Sequence, residues 1–280
     1  MVLVVLIWGA NFTVTKATFS YIPPLAFTAL RFALAALVLV VLLHLLERKQ
    51  VIAKGTWLKL VVIGLVGNTL YQPAFILGLA NTTATNCAVI IGSLPGIVAL
   101  LSWVFRVERI SAVVAVGIVL SLAGVFFVVG ANGLSLGGDT TLGDLLTLAA
   151  VFCWAAYTLG LRRVDPQLSP LRVTTITTVA GTPGLIALGM GESLNLDWGA
   201  VPASAYTALV YASLFSLVVA YFLYNTGVKR LGASRTSVYS CFIPLVGVLV
   251  AWAFLGEEPV PLQAFGAALV VVGVWLTRRR

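Results

Sequence analysis

Asn68, Tyr71, Gln72 and Phe75 recur at i, i+3, i+4 and i+7 of one apolar stretch, a spacing that places all four on one helical face. Amides and a phenol beside a phenyl ring make a stripe that can orient the polar end of a small molecule while flat rings stack on its body. Trp8 and Asn11 share a face in the same way near the start of the chain, as do Trp154 and Tyr157 farther on, and Tyr239 joins this set of candidate binding residues. An amide left unpaired in hydrocarbon is costly, so Asn11 and Asn68 each face either a partner helix or a wet cavity. Any single aromatic ring reads first as a packing residue. Trp57, Trp198 and Trp275, at the ends of apolar stretches, read as interfacial anchors.

Catalytic and metal chemistry have no comparable footing. The one histidine, His44, lies near the end of an apolar stretch, and Cys87, Cys153 and Cys241 sit within apolar runs, where a thiol behaves as a small hydrophobe. Neither a disulfide nor a metal site is expected, and no cofactor. The chain lacks paired carboxylates and a nucleophile beside a base, which argues against a membrane-embedded enzyme such as a lipid-phosphate hydrolase.

The elements that position these residues must lie in lipid. The chain of 280 residues is 60% apolar and 9% charged, with a mean hydropathy of +1.07. A spanning helix needs roughly 20 apolar residues. Segments of that size fall at 2–20, 24–46, 57–79, 83–105, 111–130, 142–161, 171–190, 204–227, 233–255 and 260–277, so the expected fold class is an all-α polytopic membrane protein with ten transmembrane helices. Met1 leads straight into VLVVLIW, with no basic region before it and no small-residue cleavage site after it, so the first helix is expected to remain.

The formal charge of +8 reflects topology rather than nucleic acid, since no water-exposed domain gathers the basic residues. Of the 17 basic residues, 15 fall in alternate connections or the tail: Arg48, Lys49, Lys54, Lys59; Arg106, Arg109; Arg162, Arg163, Arg172; Lys229, Arg230, Arg235; Arg278, Arg279, Arg280. The intervening connections carry Asp139, Asp144, Glu192, Asp197, Glu257 and Glu258. The positive-inside rule then puts both termini in the cytoplasm of a bacterial inner-membrane protein.

An ungapped offset of 149 pairs Gly78 with Gly227, Ala84 with Ala233, Pro95 with Pro244, Trp103 with Trp252, Phe105 with Phe254, Glu108 with Glu257, Gly117 with Gly266 and Gly124 with Gly273. Upstream, an offset of 146 pairs Trp8 with Trp154, Lys16 with Arg162 and Pro24 with Pro170. The chain therefore reads as two five-helix copies, 1–131 and 139–278. An odd number of crossings turns the second copy over, and the loops agree: LANTTATN at 79–86 has no basic residue where VKRLGASR at 228–235 has three. Inverted repeats that can exchange conformations around one central site are a transporter signature.

WGANFTVTK, followed by Pro24 and ALRF at 29–32, resembles the opening of an EamA domain. The resemblance implies a ten-helix member of the drug/metabolite transporter superfamily, similar to the YddG type of bacterial aromatic amino acid exporter. In the second copy Ala155 stands for the glycine, Tyr157 for the asparagine and Arg162 for the lysine, which weakens any transfer of roles to it. The expected partners are a small organic solute, such as an amino acid or related metabolite, and the lipid bilayer; nucleic acid is not expected, and the chain is taken as a monomer.

Pro95 and Pro244 fall near the middle of the fourth and ninth spans, beside Gly92, Gly96 and Gly247. Each proline removes a helical hydrogen bond, and their symmetric placement favours hinges over static kinks. Lys16 and Arg31, the basic residues inside spans, either capture a substrate carboxylate or snorkel to the interface. With no Asp or Glu in the interior of any span, a facilitator or exchanger is expected rather than a proton-coupled pump. An antiporter of nucleotide-sugars or organic phosphates would call for several deep cations.

Overall fold

In the computed structural model of the chain, residues 1–82, 87, 90–130, 140–246 and 261–278 are described, with the backbone alone for Phe12, Thr13, Lys16, Val129, Gly130 and Arg278. Gly247, Glu257, Glu258 and the repeat boundaries at 131 and 139 fall outside the described residues, as does the Lys16 side chain. The elements are helical: α1 (Val2–Thr18), α2 (Pro24–Leu46), α3 (Lys54–Ala80), α4 (Leu94–Val104), α5 (Ala112–Gly130), α6 (Thr141–Arg162), α7 (Pro170–Leu194), α8 (Ala203–Leu231), α9 (Ala233–Ser237) and α10 (Pro261–Arg278).

Local chemistry sets several of these boundaries. Pro24 and Pro170 occupy first turns, where a missing N–H costs nothing, and the Ser169 hydroxyl caps α7 by accepting from Arg172 N at 3.0 Å. Gly232 ends α8 at φ 97, a left-handed conformation that favours glycine. By length and composition, α2, α3, α6, α7 and α8 can each cross a membrane, whereas Leu94–Val104, Ala112–Val128 and Pro261–Thr277 are shorter apolar helices.

Hydropathy alone gives the fourth span as one rod, but the structure breaks it. Residues 90–92 are helical, a turn intervenes at Ser93, and α4 restarts with Pro95 in its first turn. In the second copy a 3-10 segment, Val238–Phe242, follows α9, and Pro244 stands just beyond it where the helix resumes. Both prolines thus lie at a junction between helical pieces, where the absent N–H has no partner to lose.

Helices α3 and α8 each contain a π segment, Leu65–Leu70 and Ala212–Val219. Pro73 follows the first, whereas Phe222 stands at the matching place after the second, so the π segments do not depend on proline.

Helices α2 and α7 pack antiparallel: a Cβ at Gly189 would lie 2.5 Å from Leu25 O, and the Thr175 hydroxyl reaches Leu39 O at 3.4 Å. A carboxylate closes each end of the pair. Glu192 accepts from Leu25 N and Ala26 N at 2.9 Å, and Glu47 pairs with Arg172 at 3.1 Å and with the Ser169 hydroxyl. Helices α5 and α10 also cross antiparallel, backbone against backbone. An added Cβ at Gly117 would sit 2.6 Å from Gly273 O, and one at Gly124 2.6 Å from Gly266 O.

The central core joins Val4, Phe32, Val98, Trp154, Tyr157, Tyr221, Tyr224 and Val228, and a second cluster lies between α5, the 3-10 segment Val238–Phe242 and α10. Leu6, Leu37, Trp103, Val119, Leu145, Phe215 and Phe265 are exposed around the outside, an apolar surface that suits lipid.

Candidate functional site

A cavity of about 730 Å³, counting the space at its mouth, lies between α1, α2, α3, α4, α6 and α8 and the segment after α9. Trp8, Asn11, Tyr71, Gln72, Phe75 and Trp154, all singled out from the sequence, line it together. Their rings form one continuous set: Tyr71 stacks on Phe75 with centroids 5.8 Å apart, Tyr71 meets Trp154 at 4.9 Å, and Trp8 meets Trp154 edge-on at 5.7 Å. The Trp8 indole N–H is held by Ser216 O at 3.1 Å, a carbonyl inside the π segment of α8, where ordinary i to i+4 bonding is interrupted.

The other sequence candidates are placed elsewhere. Asn68 is fully buried and donates to Thr177 O on α7 at 2.8 Å, the helix-to-helix bond that was one of its two readings. Tyr157 lies behind the wall, stacked on Trp154, and its hydroxyl donates to Asn225 Oδ1 at 3.0 Å. Gly67 lets it pack directly on α3, since a Cβ there would lie 2.2 Å from the Tyr157 ring. Tyr239 packs with the cluster of α5, the 3-10 segment and α10, and its neighbour Ser240 faces the cavity instead. Gly92 lies against Val125, and Gly96 against Leu122, so both hold the broken fourth segment close to α5.

Tyr221, Ser216, Leu217, Ile91, Leu94 and Ile243 also line the cavity without having been singled out from sequence. Arg31 lies there too. Rather than reaching for an interface, it is 3% exposed and donates from Nη2 to Gln72 Oε1 at 2.6 Å. Gln72 Nε2 in turn donates to Tyr221 OH at 3.2 Å. Gln72 and Tyr221 are matched by the offset of 149, so equivalent positions of the two copies touch. The same offset matches Ile91 with Ser240 and Leu94 with Ile243, and the offset of 146 matches Trp8 with Trp154; all of these line the cavity.

Other matched positions differ in environment. Phe75 and Leu79 line the cavity, whereas their counterparts Tyr224 and Val228 are fully buried in the core toward the basic end of the helices. Asn11 lines it, and its counterpart Tyr157 is fully buried.

A carboxylate ties several elements together at that basic end. Glu108 pairs with Arg162 Nε at 3.0 Å and accepts from Ala233 N at 2.6 Å and Ser234 N at 3.1 Å, joining the α4–α5 connection to α6 and the start of α9. Gly232 permits the approach, because a Cβ there would lie 2.7 Å from Glu108 Oε1.

Known proteins place this architecture. The model of the EamA-like transporter family matches residues 1–130 and again residues 141–279. The chain is 30% identical to the uncharacterized transporter YyaM of Bacillus subtilis (strain 168), over 95% of its own length and 88% of that protein's. It is 28% identical to an uncharacterized transporter of Archaeoglobus fulgidus, over 99% of its length and 95% of the other's. A solved crystal structure superposes with a TM-score of 0.81 over 99% of this chain and 94% of that one; at 19% identity, this is likeness of fold alone. With one family model matching on either side of a short central gap and its relatives bearing the name of transporters, the chain is a multi-pass membrane transporter and belongs to the EamA-like transporter family.

Proposed function

We propose that the protein exports small organic solutes across the bacterial inner membrane, amino acids with aromatic or apolar side chains foremost, by alternating access between two inverted five-helix repeats, 1–131 and 139–278. The observation that carries this reading is the aromatic cavity astride matched positions of the two copies, with equivalents such as Phe75 and Tyr224 on opposite sides of an open and closed division. Exchange of these environments between copies is what alternating access requires. The antiparallel crossings of α2 with α7 and of α5 with α10, which are matched helices, support the inverted arrangement.

In this state the basic end, taken as cytoplasmic from the charge pattern, is shut by Val4, Val98, Tyr224 and Val228 beneath the Glu108 latch. The second state would open that plug and close the Phe75 and Leu79 side, bending at Pro95 and Pro244. No Asp or Glu falls in the interior of an expected span, Asp144 standing in the first turn of its own, which supports a carrier running down its solute gradient.

Counterflow in proteoliposomes tests the proposal. Vesicles preloaded with unlabelled L-phenylalanine should accumulate labelled L-phenylalanine transiently, more than vesicles loaded with buffer. Equal uptake in both would point to a channel, and no uptake of any amino acid would remove the substrate assignment.

A further inference from the structure

Arg31 is 3% exposed within α2, yet no Asp or Glu lines the cavity beside it among the described residues. Its guanidinium makes one hydrogen bond among those residues, to Gln72, and lies 5.6 Å and 5.8 Å from the ring centroids of Phe27 and Phe32. Among the described residues the buried Nε has no hydrogen-bond partner, and neither do Asn11 Oδ1 and Thr15 Oγ1 in the same lining. A guanidinium offers five N–H donors in a fork that fits a carboxylate. Removing such a cation from water without a counter-charge is strongly unfavourable, and two rings with one amide replace only part of its hydration. If its purpose were only to tie α2 to α3, a neutral donor would make the Gln72 bond without that penalty.

We propose that Arg31 is the counter-charge for a carboxylate on the transported solute, and that the site recognises this carboxylate rather than any ammonium group beside it. The inference rests on the solute-carrier reading above and deepens it. Trp8, Tyr71, Phe75 and Trp154 provide ring surface for the body of the solute, and Asn11 and Thr15 supply polar atoms for its remaining groups. An ammonium group meets rings and the neutral oxygens of Asn11 and Thr15 but no carboxylate, so deleting it changes binding less than deleting the carboxylate. Deleting the carboxylate leaves Arg31 unpaired and changes binding a great deal.

Competition against labelled L-phenylalanine counterflow by the full-length wild-type protein decides the matter. 3-Phenylpropionate, which lacks the amino group, should compete within about tenfold of L-phenylalanine, and phenethylamine and L-phenylalaninamide, which lack the carboxylate, more than about tenfold less well. Phenethylamine competing as well as L-phenylalanine would overturn the role of Arg31 and leave the transporter standing. Absence of any L-phenylalanine counterflow would overturn the aromatic-solute reading and this inference with it. Arg31→Gln, where its thermal unfolding matches the wild type, should lose the discrimination between 3-phenylpropionate and phenethylamine; retained discrimination overturns the inference. Should that variant not fold, the wild-type series decides alone.

Discussion

Replacing Glu108 by Gln should release the basic end of the transporter. The carboxylate accepts two backbone N–H bonds, from Ala233 and Ser234, and pairs with an Arg162 side chain that is 36% exposed. A hydrogen bond to a charged group contributes about 1.5–3 kcal/mol. An ion pair this exposed is screened and adds well under about 1 kcal/mol. The amide keeps one acceptor oxygen for one N–H and loses the charge, so the closed arrangement is weakened by about 2 kcal/mol, or about 30-fold in the equilibrium between states. The shift follows only if the latch exists in one state and not in the other. The assay uses Val228→Cys in a background whose native cysteines are replaced, because Val228 is fully buried in the plug under the latch. Thiol labelling of this position from the basic end should accelerate by about 30-fold when Glu108→Gln is added. An unchanged rate in a protein that still folds and carries solute would refute the latch.

Three further outcomes are expected. Gly124→Leu drives a side chain into Gly266 O, 2.6 Å from an added Cβ, and overpacking of this kind costs about 1–3 kcal/mol; the unfolding midpoint in detergent should fall, and fall similarly for its counterpart Gly273→Leu. Trp8→Phe keeps a ring but removes the donor to Ser216 O, and an unpaired carbonyl costs about 1–3 kcal/mol, so both the midpoint and solute affinity should drop; wild-type values would show that the indole N–H is dispensable. Pro95→Ala should slow turnover more than it weakens solute binding, and unchanged counterflow rates would count against a hinge there.

The parts of the fold most legible in the sequence are those where a long apolar run meets a helix-start signal, as with Pro24 for α2 and Ser169-Pro170 for α7. Register within the helices was less legible. The stripe from Asn68 to Phe75 assumes a uniform 3.6-residue turn, but the π segment Leu65–Leu70 changes the rotation part-way along, leaving Asn68 against α7 while Tyr71, Gln72 and Phe75 face the cavity. The 3-10 segment Val238–Phe242 likewise tightens the turn, and Ser240 rather than Tyr239 faces inward. Hydropathy registers neither change. Tyr221 was within reach, because the offset of 149 that pairs the copies assigns it to Gln72. For Arg31 the sequence shows a charge in an apolar run, and only the position of Gln72 on α3 decides that it turns inward.

Topology labelling at two matched positions tests the central claim most directly. Gly55, at the start of α3, and Ser204, at the start of α8, are both exposed and are paired by the offset of 149. A Cβ added at 55 would meet no neighbouring atom within 4 Å among the described residues. In right-side-out vesicles, an impermeant thiol reagent should label Ser204→Cys in intact vesicles and Gly55→Cys only after permeabilisation. Labelling of both from the same side would contradict inverted repeats and the exchange of environments built on them.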